Sequence, residues 1–387
     1  MKIAIVTVAY NRVDSLSRLL CSLERAYYNE KATLIISVDK SKTDVVERFA
    51  DEYHWPHGDK IVDKHEKNLG LRPHMMSLGK WFDQFDAIAV LEDDIVVSPN
   101  FYIYTQQTVE KYHACEGIAG ISLYDFYINY QTGCPFTPVK DEHDVYFMKG
   151  AVSWGEIWMK KQWLEFYDWY QNNLNFAPSN MIPERLFEWG EKSWLKYHTR
   201  YCIETNKYFV YPYVSLTTNF CDAGTNSKKP SSDYQVSMQR GKKRVYSLPK
   251  LDEAAIFYDG FFENESLYES LNLKEEECCL DINGTNKNRI GKKYWLTTNI
   301  VDYRIVKSFG LQLRPIELNV LERVEGDTIF LYEATIVEKN PNKSKGEVLR
   351  YYYHLGDNIS HFVLKEYGLR KTLSDLFSKA ISKITNI

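Results

Sequence analysis

Three adjacent acids, Glu92, Asp93 and Asp94, follow the apolar run at 87–91, and a second apolar run, Ile95-Val-Val97, leads on to Pro99 and Phe101. Adjacent carboxylates repel one another, so a fold that sets them at a strand end neutralises them with a cation or with hydrogen-bond donors. Hard divalent ions such as Mg²⁺ and Mn²⁺ take carboxylate and phosphate oxygens together, which suits a ligand carrying a diphosphate. A bare Glu-Asp-Asp is more often an acidic surface turn. Here a nearly uninterrupted hydrophobic strand precedes the acids, and parallel strands buried on both faces present ligands at their carboxyl ends. Asp94 sits farthest beyond the strand and is the expected metal ligand. Asp93 or Glu92 would then face a ribose or hold a metal-bound water.

The elements that must position these acids alternate in the first third of the chain. Residues 3–8 read as a buried strand, and 13–27 as a helix with Leu16, Leu19, Leu20 and Leu23 on one face. A strand at 33–38, a helix at 43–53 and a short strand at 60–63 follow. Pro73 marks a helix start whose apolar face holds Leu78, Trp81, Phe82 and Phe85, and the strand at 87–91 completes the series. This βαβαβαβ order implies a parallel sheet with right-handed crossovers, so Asp39 and the acids at 92–94 should share one edge.

Beyond residue 117 the pattern loosens into short strands and aromatic helices, with helices expected at 158–170 and 194–205. The polar stretch 225–244 reads as a loop or linker. Residues 267–279 read as an acidic helix, and 294–299, 316–324 and 328–337 as strands, with a turn at Glu325-Gly-Asp327. We therefore divide the chain into a first domain over 1–245, an α+β region over 246–366 and a C-terminal helix over 367–387. In that helix Leu369, Leu373, Leu376, Ala380 and Ile384 fall on one face, and Arg370, Lys371, Lys379 and Lys383 lie largely away from it. A basic amphipathic helix of this kind fits peripheral contact with an anionic membrane surface, and equally docking on the body or on a second subunit of a homo-oligomer.

Composition narrows the class. The 387 residues are 44% hydrophobic and 26% charged, ordinary for a soluble protein with a real core. A net charge of −4 and a pI near 6.2 give no support for nucleic-acid binding. The N-terminus shows no signal-peptide pattern, and no apolar run approaches the roughly 20 residues that span a bilayer. Seven scattered cysteines without CxxC spacing point to reduced thiols in the cytoplasm and away from a zinc site. The 29 Tyr, 19 Phe and 9 Trp mostly fill cores, although aromatic faces also stack on sugar rings.

Taken together, the first 225 residues resemble a nucleotide-sugar glycosyltransferase of the GT-A fold, in the flavour of the N-acetylglucosaminyltransferase I type and its bacterial relatives. The pieces that carry the likeness are Thr7-Val-Ala-Tyr-Asn-Arg12, Ile36-Ser-Val-Asp39, the histidine-led stretch from His74 to Phe82, and Leu91-Glu-Asp-Asp-Ile-Val-Val-Ser-Pro-Asn-Phe101. Two later pieces, Ser153-Trp-Gly-Glu-Ile-Trp158 and the stretch from Ser215 to Thr225, look like acceptor-side elements. The resemblance covers a little over half of the chain. It implies an α/β fold, with a mostly parallel Rossmann-like sheet flanked by helices and a C-terminal α+β extension. It also implies a UDP-sugar donor, a glycan or lipid-linked glycan acceptor, and Mn²⁺ or Mg²⁺ as cofactor.

On the donor side the matching positions are Thr7, Ala9, Arg12, Asp39, Asn68, His74, Glu92 and Asp93. Arg12 would reach a phosphate as a fork of donors, against the plainer reading of a solvated arginine. Asp39 would accept from the uracil N–H or cap the helix opening near Thr43. His74, in the first turn after Pro73, would favour an anion, although a lone helix histidine is more often structural. The turn at 68–70 would bring backbone close to the nucleotide or serve as an ordinary turn. An inverting transferase also needs a carboxylate to take the acceptor proton. The family's acid lies in a tryptophan-flanked motif that here reads Leu186-Phe-Glu-Trp-Gly-Glu-Lys-Ser-Trp194, which implies Glu191, with Glu188 and Glu184 behind it. This departs from the family's paired aspartates. Trp154 and Trp158 would stack on a sugar or build core, and Asp222 and Thr225 would contact donor or acceptor. Two rivals stand beside the transferase: a nucleotidyltransferase, whose lysine- and glycine-rich phosphate loop is missing after the first strand, and an inert carbohydrate-binding or scaffold protein.

Overall fold

A computed structural model of the chain describes residues 1–222, 234–343, 346–353 and 368. The first strands and helices follow the expected order: β1 (Ile3–Ala9), α1 (Val13–Glu24), β2 (Thr33–Val38), α2 (Val45–Glu52), β3 (Lys60–Lys64), α3 (Leu71–Ser77) and β4 (Ala87–Glu92). A 3₁₀ segment, Leu78–Asp83, joins α3 to the turn before β4. β1 pairs in parallel with β2 on one side and with β4 on the other, and β2 pairs in parallel with β3. All seven residues of β1 are buried, because both faces of the sheet are covered. Ile3, Ile5 and Ala9 pack with the α1 leucines on one face. Ala4, Val6 and Val8 pack with Met75, Trp81 and Phe82 on the other.

Next come β5 (Ile95–Val97), α4 (Phe101–Tyr112), β6 (Ile118–Ser122), β7 (Val145–Met148), β8 (Glu156–Met159), α5 (Lys160–Asn172), α6 (Glu184–Glu188), α7 (Leu195–Thr205), β9 (Tyr208–Pro212), β10 (Thr217–Asn219) and β11 (Phe257–Tyr258). The large sheet has nine strands in the order β11-β7-β9-β6-β8-β4-β1-β2-β3, and β5 and β10 form a separate two-stranded ribbon. β8 runs antiparallel to both β4 and β6, so β6 points the same way as β4. β9 is parallel to β6, and β7 is antiparallel to β9. The sheet is thus parallel over β3-β2-β1-β4 and mixed beyond. Because β11 pairs with β7, it takes a strand from beyond residue 245.

Two local expectations give way here. The helix anticipated at 158–170 begins only at Lys160, because Glu156–Met159 is a buried strand between β4 and β6. In the C-terminal region α8 (Ser266–Leu271) and β12 (Cys278–Asp281) replace one long acidic helix. β13 (Tyr294–Thr297), β14 (Arg304–Phe309), α9 (Leu318–Leu321), β15 (Ile329–Glu333) and α10 (Glu347–Tyr352) follow. The strand expected at 316–324 is the short helix α9. Its Asn319 accepts hydrogen bonds from the backbone N–H groups of Gln312 (2.7 Å) and Leu313 (2.8 Å), which ties the turn down. A four-stranded sheet, β12-β13-β15-β14, closes a third core around Leu267, Leu280, Leu296, Val320 and Leu331. All seven cysteines lie among the described residues and none is disulfide-bonded. Gly368 apart, the amphipathic helix expected at 367–387 lies outside the described residues.

Candidate functional site

β1 has β2 on one side and β4 on the other, so the chain leaves β1 in one direction and later resumes in the opposite one. At such a switch point the loops after the two strands diverge and open a crevice at the carboxyl edge, where open α/β sheets bind their ligands. Arg12 follows β1 and the three acids end β4, so they face each other across this crevice. Arg12 Nε donates to Asp93 Oδ2 at 3.3 Å, and its Nη2 pairs with Asp93 Oδ1 and lies 3.2 Å from Asp94 Oδ2. Asn219, from the β10 ribbon, donates through Nδ2 to Asp94 Oδ1 at 3.2 Å, and Phe220 N–H donates to the Asp94 carbonyl at 2.7 Å. The ribbon thereby holds the acidic turn from outside.

One guanidinium does not neutralise three carboxylates. Burial, followed by repulsion from Asp94 and Asp93, pushes the Glu92 carboxyl up to about 8, although Arg12 and Trp194 pull the other way. Burial also lifts Asp93 to about 6, against the attraction of Arg12. The site thus has room, electrostatically, for one more positive charge, and carboxylate oxygens are the donors a hard divalent cation takes. Of the two acids that Arg12 meets, Asp94 is the more open, its side chain 17% exposed against 6% for Asp93.

Asp222 joins the same edge. Its carboxylate accepts from Ser15 Oγ at 2.6 Å and pairs with Arg18, both on α1, and its charge is felt at Asp93. Arg18 in turn lies 3.6 Å over the Phe220 ring. Thr225 falls outside the described residues.

Asp39 ends β2 and is buried. Its Oδ1 accepts from Lys40 N–H (2.9 Å) and Leu69 N–H (2.8 Å), and its Oδ2 from Gly70 N–H (2.9 Å) and Asn68 Nδ2 (3.2 Å). It does not cap α2, whose N-cap residue is Asp44; instead it pins the 68–70 turn against the crevice. Gly70, with φ +79°, makes that turn possible and opens α3. α3 therefore starts at Leu71, two residues before Pro73, and His74 lies one full turn in. Its ring is buried, with Nε2 2.8 Å from Ser37 Oγ and edge-on to His65 at 4.8 Å. Burial and the neighbouring His65 hold it down to about 4. At neutral pH it is an uncharged member of the sheet packing and offers no cation to an anion. Thr7 is also fully buried, its hydroxyl directed at Ile35 O (3.4 Å), and Ala9 O accepts from Asp39 N–H (2.9 Å), so these two form the floor of the crevice.

The two tryptophans separate. Trp158 is core, stacked on Trp163 at 4.2 Å. Trp154 is half-buried at the rim, 4.7 Å from the Tyr124 ring and 4.6 Å from the Tyr234 ring, and its carbonyl accepts from Thr217 on β10. Among the acids of the tryptophan-flanked motif, Glu184 pairs with Lys287 and Glu188 with Arg185, and Glu191 is exposed beside Lys196. Trp194, three residues after Glu191, is buried near Glu92, where it favours the ionised carboxylate.

Two edge acids carried no role in the sequence reading. Glu156, which opens β8 opposite Val90, accepts from Val152 N–H (2.9 Å) and Trp158 Nε1 (2.5 Å), fixing the loop that presents Trp154. Asp125 lies three residues past β6, so it shares the carboxyl edge with Glu92. It accepts from Tyr146 OH at 3.0 Å, and burial pushes it up to about 8. Only the direction of β6, which depends on the antiparallel β8 beside it, brings Asp125 to this edge. One further group, Asp141, Glu142 and His143 before β7, sets three ligand atoms within 4.8 Å of one another. It is a partly exposed turn in which Asp141 Oδ1 accepts from His143 N–H at 2.9 Å and His143 Nδ1 meets Ser247 Oγ at 3.0 Å.

The architecture is that of a GT-A fold: a large, partly parallel sheet between helices, with a smaller C-terminal sheet. No protein-family model matches the chain, and no curated protein does. Solved structures do overlap with it. A mannosyltransferase from Pyrobaculum calidifontis, in complex with GDP-Man and Mn²⁺, matches at 9% identity with a TM-score of 0.34, over 55% of this chain and 57% of its own. S. aureus TarS 1–349 with UDP-GlcNAc matches at 12% identity and 0.33, over 55% and 56%. GalNAc-T7 with UDP, GalNAc and Mn²⁺ matches at 13% and 0.36, over 55% and 43%. The chain spans little more than half the length of the first two and less than half of the third. The fold assignment rests on the topology described above.

Proposed function

We propose that this chain is a metal-dependent, inverting glycosyltransferase that moves a sugar from a UDP-sugar to a hydroxyl of a growing surface glycan, of the capsule or lipooligosaccharide kind. The observation that carries the proposal is the facing of Arg12 and the Glu92–Asp93–Asp94 acids across the switch point between β1 and β4.

Asp94, supported by Asp93 and Glu92, would hold Mn²⁺ or Mg²⁺. When bound, such an ion offsets the charge that develops on a departing nucleoside diphosphate. Arg12 is placed to transfer one arm of its fork from Asp93 to a phosphate oxygen once the acids have another cation to face. The 68–70 turn, held by Asp39, would line the base and ribose, with Thr7 and Ala9 beneath. Trp154 would bear on the acceptor, and Asp222 on whichever sugar lies nearest α1. Glu191, with Glu188 and Glu184 behind it, would take the proton of the acceptor hydroxyl while its oxygen attacks C1 from the side opposite the leaving UDP. The new bond forms as the C1–O bond to the diphosphate breaks, and the anomeric centre inverts. The enzyme would work in the cytoplasm, with the 367–387 segment supplying any membrane contact.

The test is release of UDP from a panel of nucleotide sugars by the purified full chain with Mn²⁺. One donor should turn over slowly, EDTA should abolish the reaction, and Asp94→Ala should reduce it on the order of 10³-fold. Release of pyrophosphate instead would assign a nucleotidyltransferase. No turnover together with no metal-dependent nucleotide binding would leave only an inert protein of this fold.

A further inference from the structure

A cavity of about 430 Å³ opens where the C-terminal sheet meets the large one, and none of the crevice residues described above lines it. That size lies within the range of sites built for small organic ligands. One part of its wall is aromatic: Tyr127, Phe136 and Phe262 from the large unit, and Tyr351, Tyr352 and Tyr353 from α10 and the residue after it. Phe136 and Phe262 pack edge to face at 5.0 Å, which fixes the inner end, whereas Tyr127 is 58% exposed at the mouth.

The other part of the wall is polar and buried. Glu263 Oε1 accepts from Asn283 N–H (2.8 Å) and Nδ2 (3.0 Å), and Tyr352 OH donates to Asn283 Oδ1 at 3.2 Å. Glu317 accepts from the Tyr258 hydroxyl. Asn264 is only 1% exposed; its Oδ1 accepts from Ser266 N–H at 2.9 Å, but its Nδ2, beside Glu317, completes no hydrogen bond. A buried amide donor without a partner, on the wall of a cavity, is a place for a ligand oxygen.

The chemistry of the wall selects the ligand. Two buried carboxyl groups give a phosphate or a nucleotide no counter-charge. The one cation among the described lining residues, Arg314, is already engaged, stacked 4.0 Å over Tyr351 and bonded to its carbonyl. A hydrocarbon would strand the amides and carboxyls. A pyranose satisfies both parts, since its C–H face packs on aromatic rings and its hydroxyls both donate and accept.

We propose that this cavity binds a neutral saccharide, with a sugar ring against the tyrosine wall and hydroxyls on Asn264, Asn283 and Glu317. The site is separate from the acidic crevice, and the inference does not require the transferase reading.

Saturation-transfer NMR on the full chain tests it, with methyl glucoside, methyl galactoside, N-acetylglucosamine, lactose and maltose as probes at millimolar concentration. At least one should receive saturation. Its affinity should fall at least ten-fold in Tyr127→Ala, which removes an exposed ring, and in Thr137→Trp, which fills the mouth from another exposed lining position, with melting temperatures unchanged. A signal that survives both substitutions places the sugar elsewhere and overturns the proposal. So does the absence of transfer to every probe, or binding of spermidine in place of any sugar.

Discussion

Arg12 and Asp93, 81 residues apart in the chain, form a two-armed ion pair across the crevice between β1 and β4. This pair is the main internal compensation for the acidic turn, and a bound cation would share its task. Arg12→Ala should therefore lower stability in EDTA by about 1–3 kcal/mol, the range for losing hydrogen bonds to a charged group. Excess Mn²⁺ should restore part of that loss in the variant and have a smaller effect on the wild type. Thermal melts with and without the metal measure both. Equal Mn²⁺ shifts in the two proteins would mean that Arg12 and the ion do not share a site.

Asp39 holds the turn beside the same crevice. Its four hydrogen bonds draw three donors from the 68–70 turn, so Asp39→Ala should release that turn and leave three backbone N–H groups, those of Lys40, Leu69 and Gly70, without their acceptor. We expect a loss of about 1–3 kcal/mol and increased cleavage by a nonspecific protease within 65–72. Nucleotide affinity should drop along with it. If the turn stays protected, the Asp39 bonds are not what holds it.

How far the sequence reached differs between these elements. The β1–β4 frame was legible because parallel strands buried on both faces read as unbroken apolar runs, and because the α1 leucines repeat at helical spacing. Asp39 and the acids at 92–94 share an edge as the βαβ order required. β8 was missed because four residues, Glu-Ile-Trp-Met, carry too little period to separate a strand from the first turn of the helix that follows. In 316–324, Ile316, Leu318 and Val320 alternate like a strand, yet the chain closes a single helical turn, α9, that buries Val320 in the third core. The partners of Asp222 lie 204 and 207 residues away, beyond any local pattern. The place of His74 near a helix start favours an anion on sequence grounds, and its burial against Ser37 could not be seen without the sheet.

Trp194 connects the acidic edge to the loop that carries Glu191. Trp194→Phe keeps most of the buried ring and removes the indole N–H that favours the ionised form of Glu92. If the loop positions the proton acceptor, kcat should fall about ten-fold, which is about 1.4 kcal/mol, while nucleotide affinity changes little. Glu191→Gln should lower kcat further, and Glu188→Gln should not. Loss confined to KM in Trp194→Phe would remove the loop from the chemistry and leave it a binding element.

The junction between the two sheets should make stability depend on pH. Burial raises Glu317 to about 7, against the hydrogen bond from Tyr258, and burial raises Asp259 to about 7 as well. An acid whose folded-state value lies above its unfolded value binds its proton more tightly when folded. Its contribution is complete below the unfolded value near 4.5 and disappears as pH rises through 7. The wild type should thus lose stability at this junction between about pH 4.5 and 7, on the order of 1–2 kcal/mol per group after relaxation. Glu317→Gln keeps the amide-sized side chain and abolishes the ionisation. Its melting temperature should therefore fall less over that interval than the wild type's, by roughly 2–4 °C for each kcal/mol removed. Parallel pH profiles for the two proteins would show that Glu317 ionises as freely in the fold as outside it, and that the carboxyl group is not held in its neutral form.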